Sequence, residues 1–181
     1  NAGEVGFHMA GELKDWKLIL SRVVLGLYRV ERRVSLALSY NGEVHGPFVN
    51  DVVLKHPSSV GRFRVKRGRS VLYNEVPGDG IIVCTPTGST GYNMSAGGNI
   101  IDPSSRDIAI TTICSPKVNV RPITLGLDAR VNITVAGSKN GERIALTGDG
   151  RKIGMLAVGG GALIFPHEID TLFAVFGSDH M

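Results

Sequence analysis

The chain of 181 residues has two cysteines, 6% aromatic residues and no long hydrophobic run. Each shortage removes a class of protein. Cys84 and Cys114 cannot build a disulfide scaffold, and the five histidines make no ligand spacing with them, so no metal site is expected. Both thiols sit in apolar runs and are read as buried and free. The scarcity of aromatics leaves a base-stacking platform for single strands poorly supplied. No apolar stretch approaches the roughly 18 residues of a membrane span. No secretory leader pattern opens the chain, so a cytoplasmic setting is expected. Charge of one sign is also in short supply. The 20 Lys and Arg against 16 Asp and Glu give a formal +4, which suits a phosphate-bearing ligand but is too small to point to nucleic acid.

Glycine, by contrast, is abundant. There are 24 glycines without a three-residue period, so they mark turns and close backbone approaches instead of collagen. Hydrophobic residues at 43% and charged residues at 20% are those of a globular chain. At this length about 70% of the unfolded surface is buried, enough to need no covalent staple. A single domain over residues 1–181 is expected, with 1–28 as an inter-domain segment and helix. The chain opens at Asn1 without an initiator Met and reads as a piece of a longer protein.

From Glu12 to Leu27, Leu13, Trp16, Leu20, Val24 and Leu27 recur at helical spacing, with Asp15, Lys17, Ser21 and Arg22 elsewhere on the wheel. Trp16 is read as core or domain-interface packing. The period then changes to two. Val34, Leu36, Leu38 and Tyr40 alternate with Arg33, Ser35, Ala37 and Ser39, and Asn41-Gly42 supplies a type I′ hairpin turn. Alternation returns at Gly61–Val65, at Val131–Val135 and at Ile144–Leu146, with Asn140-Gly141 between the last two. The runs Ile81–Val83 and Ile108–Ile113 predict strands buried on both faces, and further strands are predicted at Val49–Lys55, Ile153–Val158 and Ala162–Phe165. The fold class is therefore mainly β, a β-sandwich of many short strands with one N-terminal amphipathic helix. A short helix is predicted from Thr87 to about Ala96. The basic run Arg62, Arg64, Lys66, Arg67 and Arg69 reads as a solvated strand face.

The chemistry concentrates between Gly78 and Gly98. A turn with Asp79 feeds the buried strand at Ile81, which runs into a polar loop and a helix start. Thr85, Thr87, Ser89 and Thr90 place four hydroxyls in six residues, more than one helix cap needs. Gly88 is read as letting the backbone approach a ligand, and Tyr92 as offering a flat face to a ring. Backbone N–H groups at such a helix start attract polar or anionic ligand atoms. Gly148-Asp149-Gly150 reads as a strand–turn–strand corner. Gly159-Gly160-Gly161 reads as a turn, and no P-loop run is present.

Thr85-Pro-Thr-Gly-Ser-Thr-Gly-Tyr92, with Asp79-Gly80 ahead and Ser95-Ala-Gly-Gly98 behind, strongly resembles the signature of the NAD kinase family. Gly91 stands where that family usually has Ala. Asn50-Asp51 resembles the family's Asn-Glu motif with Asp for Glu, and Asn1–Phe7, Arg121-Pro122-Ile123 and Asp149-Gly150-Arg151 also match its runs. The resemblance implies the C-terminal β-sandwich domain of an enzyme that moves a phosphoryl group from ATP, or polyphosphate, to the 2′-hydroxyl of the adenosine ribose of NAD, making NADP. On that resemblance Asn50 and Asp51 contact the adenosine portion and Asp79 accepts from the nicotinamide carboxamide. Thr85, Thr87, Thr90, Gly91, Tyr92 and Ser95 belong to the same dinucleotide site. It further implies a divalent metal, Mg²⁺, homo-oligomers of two or four chains, and no nucleic-acid or membrane partner. The family's Gly-Gly-Asp-Gly motif, with its catalytic Asp, belongs to an N-terminal domain and does not occur in these residues, so no catalytic residue is expected here. The competing expectations are a non-catalytic dinucleotide-binding module and the C-terminal domain of a lipid or diacylglycerol kinase.

Overall fold

The structure, a computed structural model, describes residues 11–176. The reading of Asn1–Phe7 and the histidine at 180 lie outside the described residues. In chain order the elements are α1 (Trp16–Val24), β1 (Arg29–Arg33), β2 (Leu36–Tyr40), β3 (Glu43–Phe48), β4 (Asp51–Lys55) and β5 (Gly61–Arg67). Then come β6 (Ser70–Gly78), β7 (Gly80–Cys84), α2 (Tyr92–Ser95), β8 (Asp107–Ile113) and β9 (Ile123–Gly126). The last strands are β10 (Val131–Ser138), β11 (Ile144–Gly148), β12 (Arg151–Leu156), β13 (Gly161–Pro166) and β14 (Thr171–Val175).

Contacts divide the described residues into two compact units, Arg33–Thr171 and a smaller one whose described parts are residues 11–32 and 172–176. The larger unit is a β-sandwich. One six-stranded sheet runs β3-β2-β13-β10-β5-β6 and the other β12-β11-β4-β7-β8-β9, with antiparallel pairing throughout. Alternation decides which side chains meet between them. Leu36 and Leu38, Phe63 and Val65, and Val131, Ile133 and Val135 come from the first sheet. Val52 and Leu54, Ile81 and Val83, Ile108 and Ile110, and Ile144 and Leu146 come from the second, and all belong to one buried cluster.

β7 is buried at every position, as its unbroken apolar run predicts. Its other face carries Ile82 and Cys84, which join Val53, Ala109, Ile113 and Ile101 in a second buried cluster. Ile101 ends the segment that begins at Thr85, so this segment lies on the outer face of the second sheet. Burying an aliphatic side chain there stabilises by about 1.5–3 kcal/mol.

Several expectations change. The segment from Thr87 is two pieces, a 3₁₀ turn over Thr87–Thr90 and then α2, separated at Gly91. Asn41-Gly42 closes the β2–β3 hairpin with both φ values positive, at 51° and 83°. Asn140-Gly141 has the same backbone but joins strands in different sheets, so it carries the chain across the sandwich. Cys114 is exposed, because it follows β8 in a loop instead of continuing its apolar run.

In the smaller unit a 3₁₀ turn over Leu13–Asp15 leads into α1, and β1 pairs with β14. The helical period is real but shorter than Glu12–Leu27. Trp16 is 53% exposed and α1 has no buried residue, so among the described residues the stripe is not covered.

Candidate functional site

The outer face of the second sheet holds a cleft of about 500 Å³ beside α2. Its floor comes from alternate residues of β4 (Asp51, Val53 and Lys55) and from Ala145 and Thr147 of the neighbouring β11. Asn50 and the turn Asp149-Gly150 close one end; His56 and Pro57 close the other. Tyr92 forms a wall from α2, with the Lys55 ammonium 5.6 Å from its ring centroid, inside cation–π range.

Of the residues singled out in the sequence, Asn50, Asp51 and Tyr92 line this cleft. Asp79 stands outside the lining, at the start of β7. Its carbonyl accepts from the N–H of His56 at 2.8 Å, which ties it to the far end of the cleft. The Asp79 side chain is half-buried and has no partner among the described residues. Thr90, Gly91 and Ser95 lie in and beside α2 without lining the cleft, and Gly91 and Ser95 are exposed.

The hydroxyl cluster divides into two kinds. Thr85 is fully buried; its hydroxyl donates to the Val49 carbonyl at 2.6 Å and accepts from the Gly88 N–H at 3.0 Å. Ser89 is likewise buried, donating to the Pro86 carbonyl at 2.6 Å and accepting from the Ile101 N–H at 3.0 Å. These two hydroxyls fix the loop to its neighbours. The Thr87 hydroxyl is buried without a hydrogen-bond partner. Gly88 makes a close approach, but to protein: a Cβ there would sit 2.7 Å from the Asn50 Cα and closer still to its carbonyl. The loop is therefore packed directly on the residue that ends the cleft.

Asp51 is the most unusual group. Only 9% exposed, its carboxyl has no hydrogen bond from a described residue. Burial, and secondarily the charge of Asp149, push its pKa up to about 6. Opposite it in the β4–β7 register, the Cys84 thiol is pushed up to about 12 by burial and by Asp51.

Lys55, His56, Thr147, Asp149 and Gly150 were not singled out for this site from the sequence. His56 is fully buried; its Nδ1 accepts from the N–H groups of Ser58 and Ser59 at 3.3 and 2.9 Å, which places the proton on Nε2. That Nε2 has no hydrogen-bond partner among the described residues. Spacing by two along β4 from Asp51 points to Lys55. Thr147 and Asp149 enter only through the pairing of β11 with β4, which no local pattern announces.

Comparison with known proteins fits this architecture. The family model described as the ATP-NAD kinase C-terminal domain matches residues 49–154. An NAD kinase of Clostridium botulinum is 35% identical over 157 residues, covering 84% of this chain and 55% of that protein. An NAD kinase of Clostridium kluyveri is 37% identical over 157 residues, covering 84% and 54%. The chain thus spans about half the length of the curated relatives it matches. Yeast NADH kinase complexed with NADH shares the fold, with a TM-score of 0.84 at 23% identity, over 98% of this chain and 53% of that one. An NAD kinase from Archaeoglobus fulgidus in complex with ATP gives a TM-score of 0.73 at 19% identity, over 92% and 62%. The family match begins at Val49, takes in every residue lining the cleft and ends at Gly154; the chain belongs to the ATP-NAD kinase C-terminal domain family.

Proposed function

We propose that this chain is the dinucleotide-binding part of an NAD kinase, an enzyme that transfers a phosphoryl group from ATP, or polyphosphate, to the 2′-hydroxyl of the adenosine ribose of NAD. The observation that carries the reading is the buried, unpartnered Asp51 carboxyl beside Asn50 in the cleft, inside the segment the family model matches. A carboxyl that is largely desolvated and takes no bond from a described residue gains from any donor a ligand brings into the cleft. A ribose hydroxyl donates to a carboxylate, and the Asn50 amide suits the donor and acceptor edge of adenine. Tyr92 gives an apolar wall for a ring, and the free carboxylate of Asp79 accepts from a carboxamide beyond His56. Thr90, Gly91 and Ser95 flank the entrance, while Thr85 and Thr87 act through the loop they build. The relatives solved with NADH and with ATP make these the ligands proposed here.

In the transfer, the ribose 2′-oxygen forms a bond to the γ-phosphorus, the bond to the β,γ-bridging oxygen breaks, and ADP leaves. This chain's part is to hold the ribose. The group that takes the hydroxyl proton and the cradle for the triphosphate come, on this reading, from the portion of the relatives that this chain does not match. Among the described residues no three His, Cys, Asp or Glu side chains gather to hold a metal ion by themselves, and a Mg²⁺ carried on the ATP phosphates needs only one or two carboxylates. No helix among them is long and apolar enough to cross a membrane. A cytoplasmic homo-oligomer of two or four chains, bound to neither nucleic acid nor membrane, completes the proposal.

The test is NADP formation from NAD, ATP and Mg²⁺. The 181-residue chain alone should form almost none, and the chain joined to an NAD kinase N-terminal domain should turn over. Robust turnover by the chain alone, abolished by Asp149→Asn, would make Asp149 the catalyst and overturn the proposal.

A further inference from the structure

Three turns in this chain share one backbone, with both central residues at positive φ: Asn41-Gly42, Asn140-Gly141 and Asp149-Gly150. Turn chemistry is satisfied equally by Asn or Asp. Only the third has the acid, and only there does the side chain reach beyond its own turn to the described residues. The Asp149 Oδ2 accepts from the N–H of Val49 at 2.7 Å, and Oδ1 accepts from those of Asn50 at 2.8 Å and Asp51 at 3.1 Å. The Asp149 N–H donates to the Asp51 carbonyl at 2.9 Å. Three consecutive amides converging on one carboxylate need an acceptor-only group, which an amide side chain is not.

This carboxylate also stands beside the buried Asp51 carboxyl and raises its proton affinity, second only to burial. Like charges in one cleft are unfavourable, a cost that stands against the three amide bonds the Asp149 carboxylate accepts. The other groups facing Asp51 are the Cys84 thiol on β7, Lys55 farther along the same face of β4, and Tyr92 from α2.

We infer that Asp149 is a positioning residue for the dinucleotide: its carboxylate gathers the amides of residues 49–51, aims Asn50 and Asp51 into the cleft, and sets the field in which the Asp51 carboxyl meets the ribose. This rests on the reading above that the cleft takes the adenosine end of NAD. As a carboxylate Asp51 accepts charge-assisted bonds from ribose hydroxyls; once protonated it accepts more weakly and at fewer lone pairs, so NAD binding weakens on the acid side.

The experiment follows the ¹³Cγ shift of Asp51 by NMR without ligand, and NAD affinity across pH 5 to 8, in the chain and in Asp149→Asn. The unsubstituted chain should show a midpoint near 6, with affinity falling below it. In Asp149→Asn the midpoint should drop towards the ordinary 3.8 but stay above it, because burial remains. The acid limb of affinity should move down with it, and affinity at pH 7.5 should fall about tenfold, as for a lost charge-assisted bond. An unchanged midpoint, or an equal loss of affinity at every pH, would overturn the inference. Should Asp149→Asn fail to fold, Asp149→Glu keeps the charge and should hold the midpoint near 6 while weakening affinity; a midpoint near 3.8 in that variant or in the unsubstituted chain overturns it. If Asp51 titrates as expected while NAD binds elsewhere, the proposed function falls and the hold of Asp149 on residues 49–51 stands.

Discussion

Gly88 packs its bare Cα against the backbone of Asn50: a methyl group there would lie 2.7 Å from the Asn50 Cα and nearer its carbonyl. The hydroxyl loop and the first residue of the cleft are thus one packed unit, further tied by the bond from the Thr85 N–H to the Asn50 carbonyl at 2.9 Å. Gly88→Ala should cost about 3 kcal/mol, the upper part of the range for overpacking, because backbone yields less than a side chain. It should also weaken NAD. A chemical melt showing less than about 0.5 kcal/mol would remove this packing from the account.

Asp51 should trade stability for binding. Its proton affinity is higher in the folded chain than the ordinary carboxyl value of 3.8, at about 6. The folded state therefore binds more protons between those values, and stability falls as pH rises from about 4 to about 6, then levels off. Asp51→Asn should raise stability at pH 7 by on the order of 1–3 kcal/mol and flatten that slope, while weakening NAD. Melts of both proteins at pH 4 and pH 7 check it; a destabilised variant at pH 7 would contradict it.

The two thiols should behave differently. Cys84 is buried, with its ionisation pushed up to about 12, whereas Cys114 is exposed. The thiolate is the reactive form. A disulfide reagent at pH 8 should therefore consume one thiol per folded chain and the second only on unfolding. Rapid loss of both under native conditions would mean that the second apolar cluster opens readily.

Much of the sandwich was legible because burial on one face imposes a period of two. Gly61–Val65 and Leu36–Tyr40 follow from it, while β7, buried on both faces, shows instead as an unbroken apolar run. β6 was not seen. It lies at a sheet edge, carries Pro77, and has Glu75 at φ 50° with register shifts against β5, so its alternation is broken. Asn50, Asp51 and Tyr92, singled out by motif, all line the cleft. Counting hydroxyls did not show how they divide: those of Thr85 and Ser89 bond within the protein and fix the loop. The bonds from Asp149 to residues 49–51 span about a hundred positions and exist only once β11 pairs with β4. Residues 149–150 therefore read correctly as a turn while the role of the Asp149 carboxylate stayed hidden.

Every proposal above depends on the cleft on the outer face of the second sheet taking NAD. An ¹H–¹⁵N correlation spectrum of the 181-residue chain, titrated with NAD to millimolar concentration, tests it directly. Shifts should concentrate at Asn50, Asp51, Lys55, Tyr92, Thr147 and Asp79, with little change at the separate depression around Leu72, Tyr73 and Arg121. Shifts centred on that second depression, with Asn50, Asp51 and Tyr92 unmoved, would contradict it.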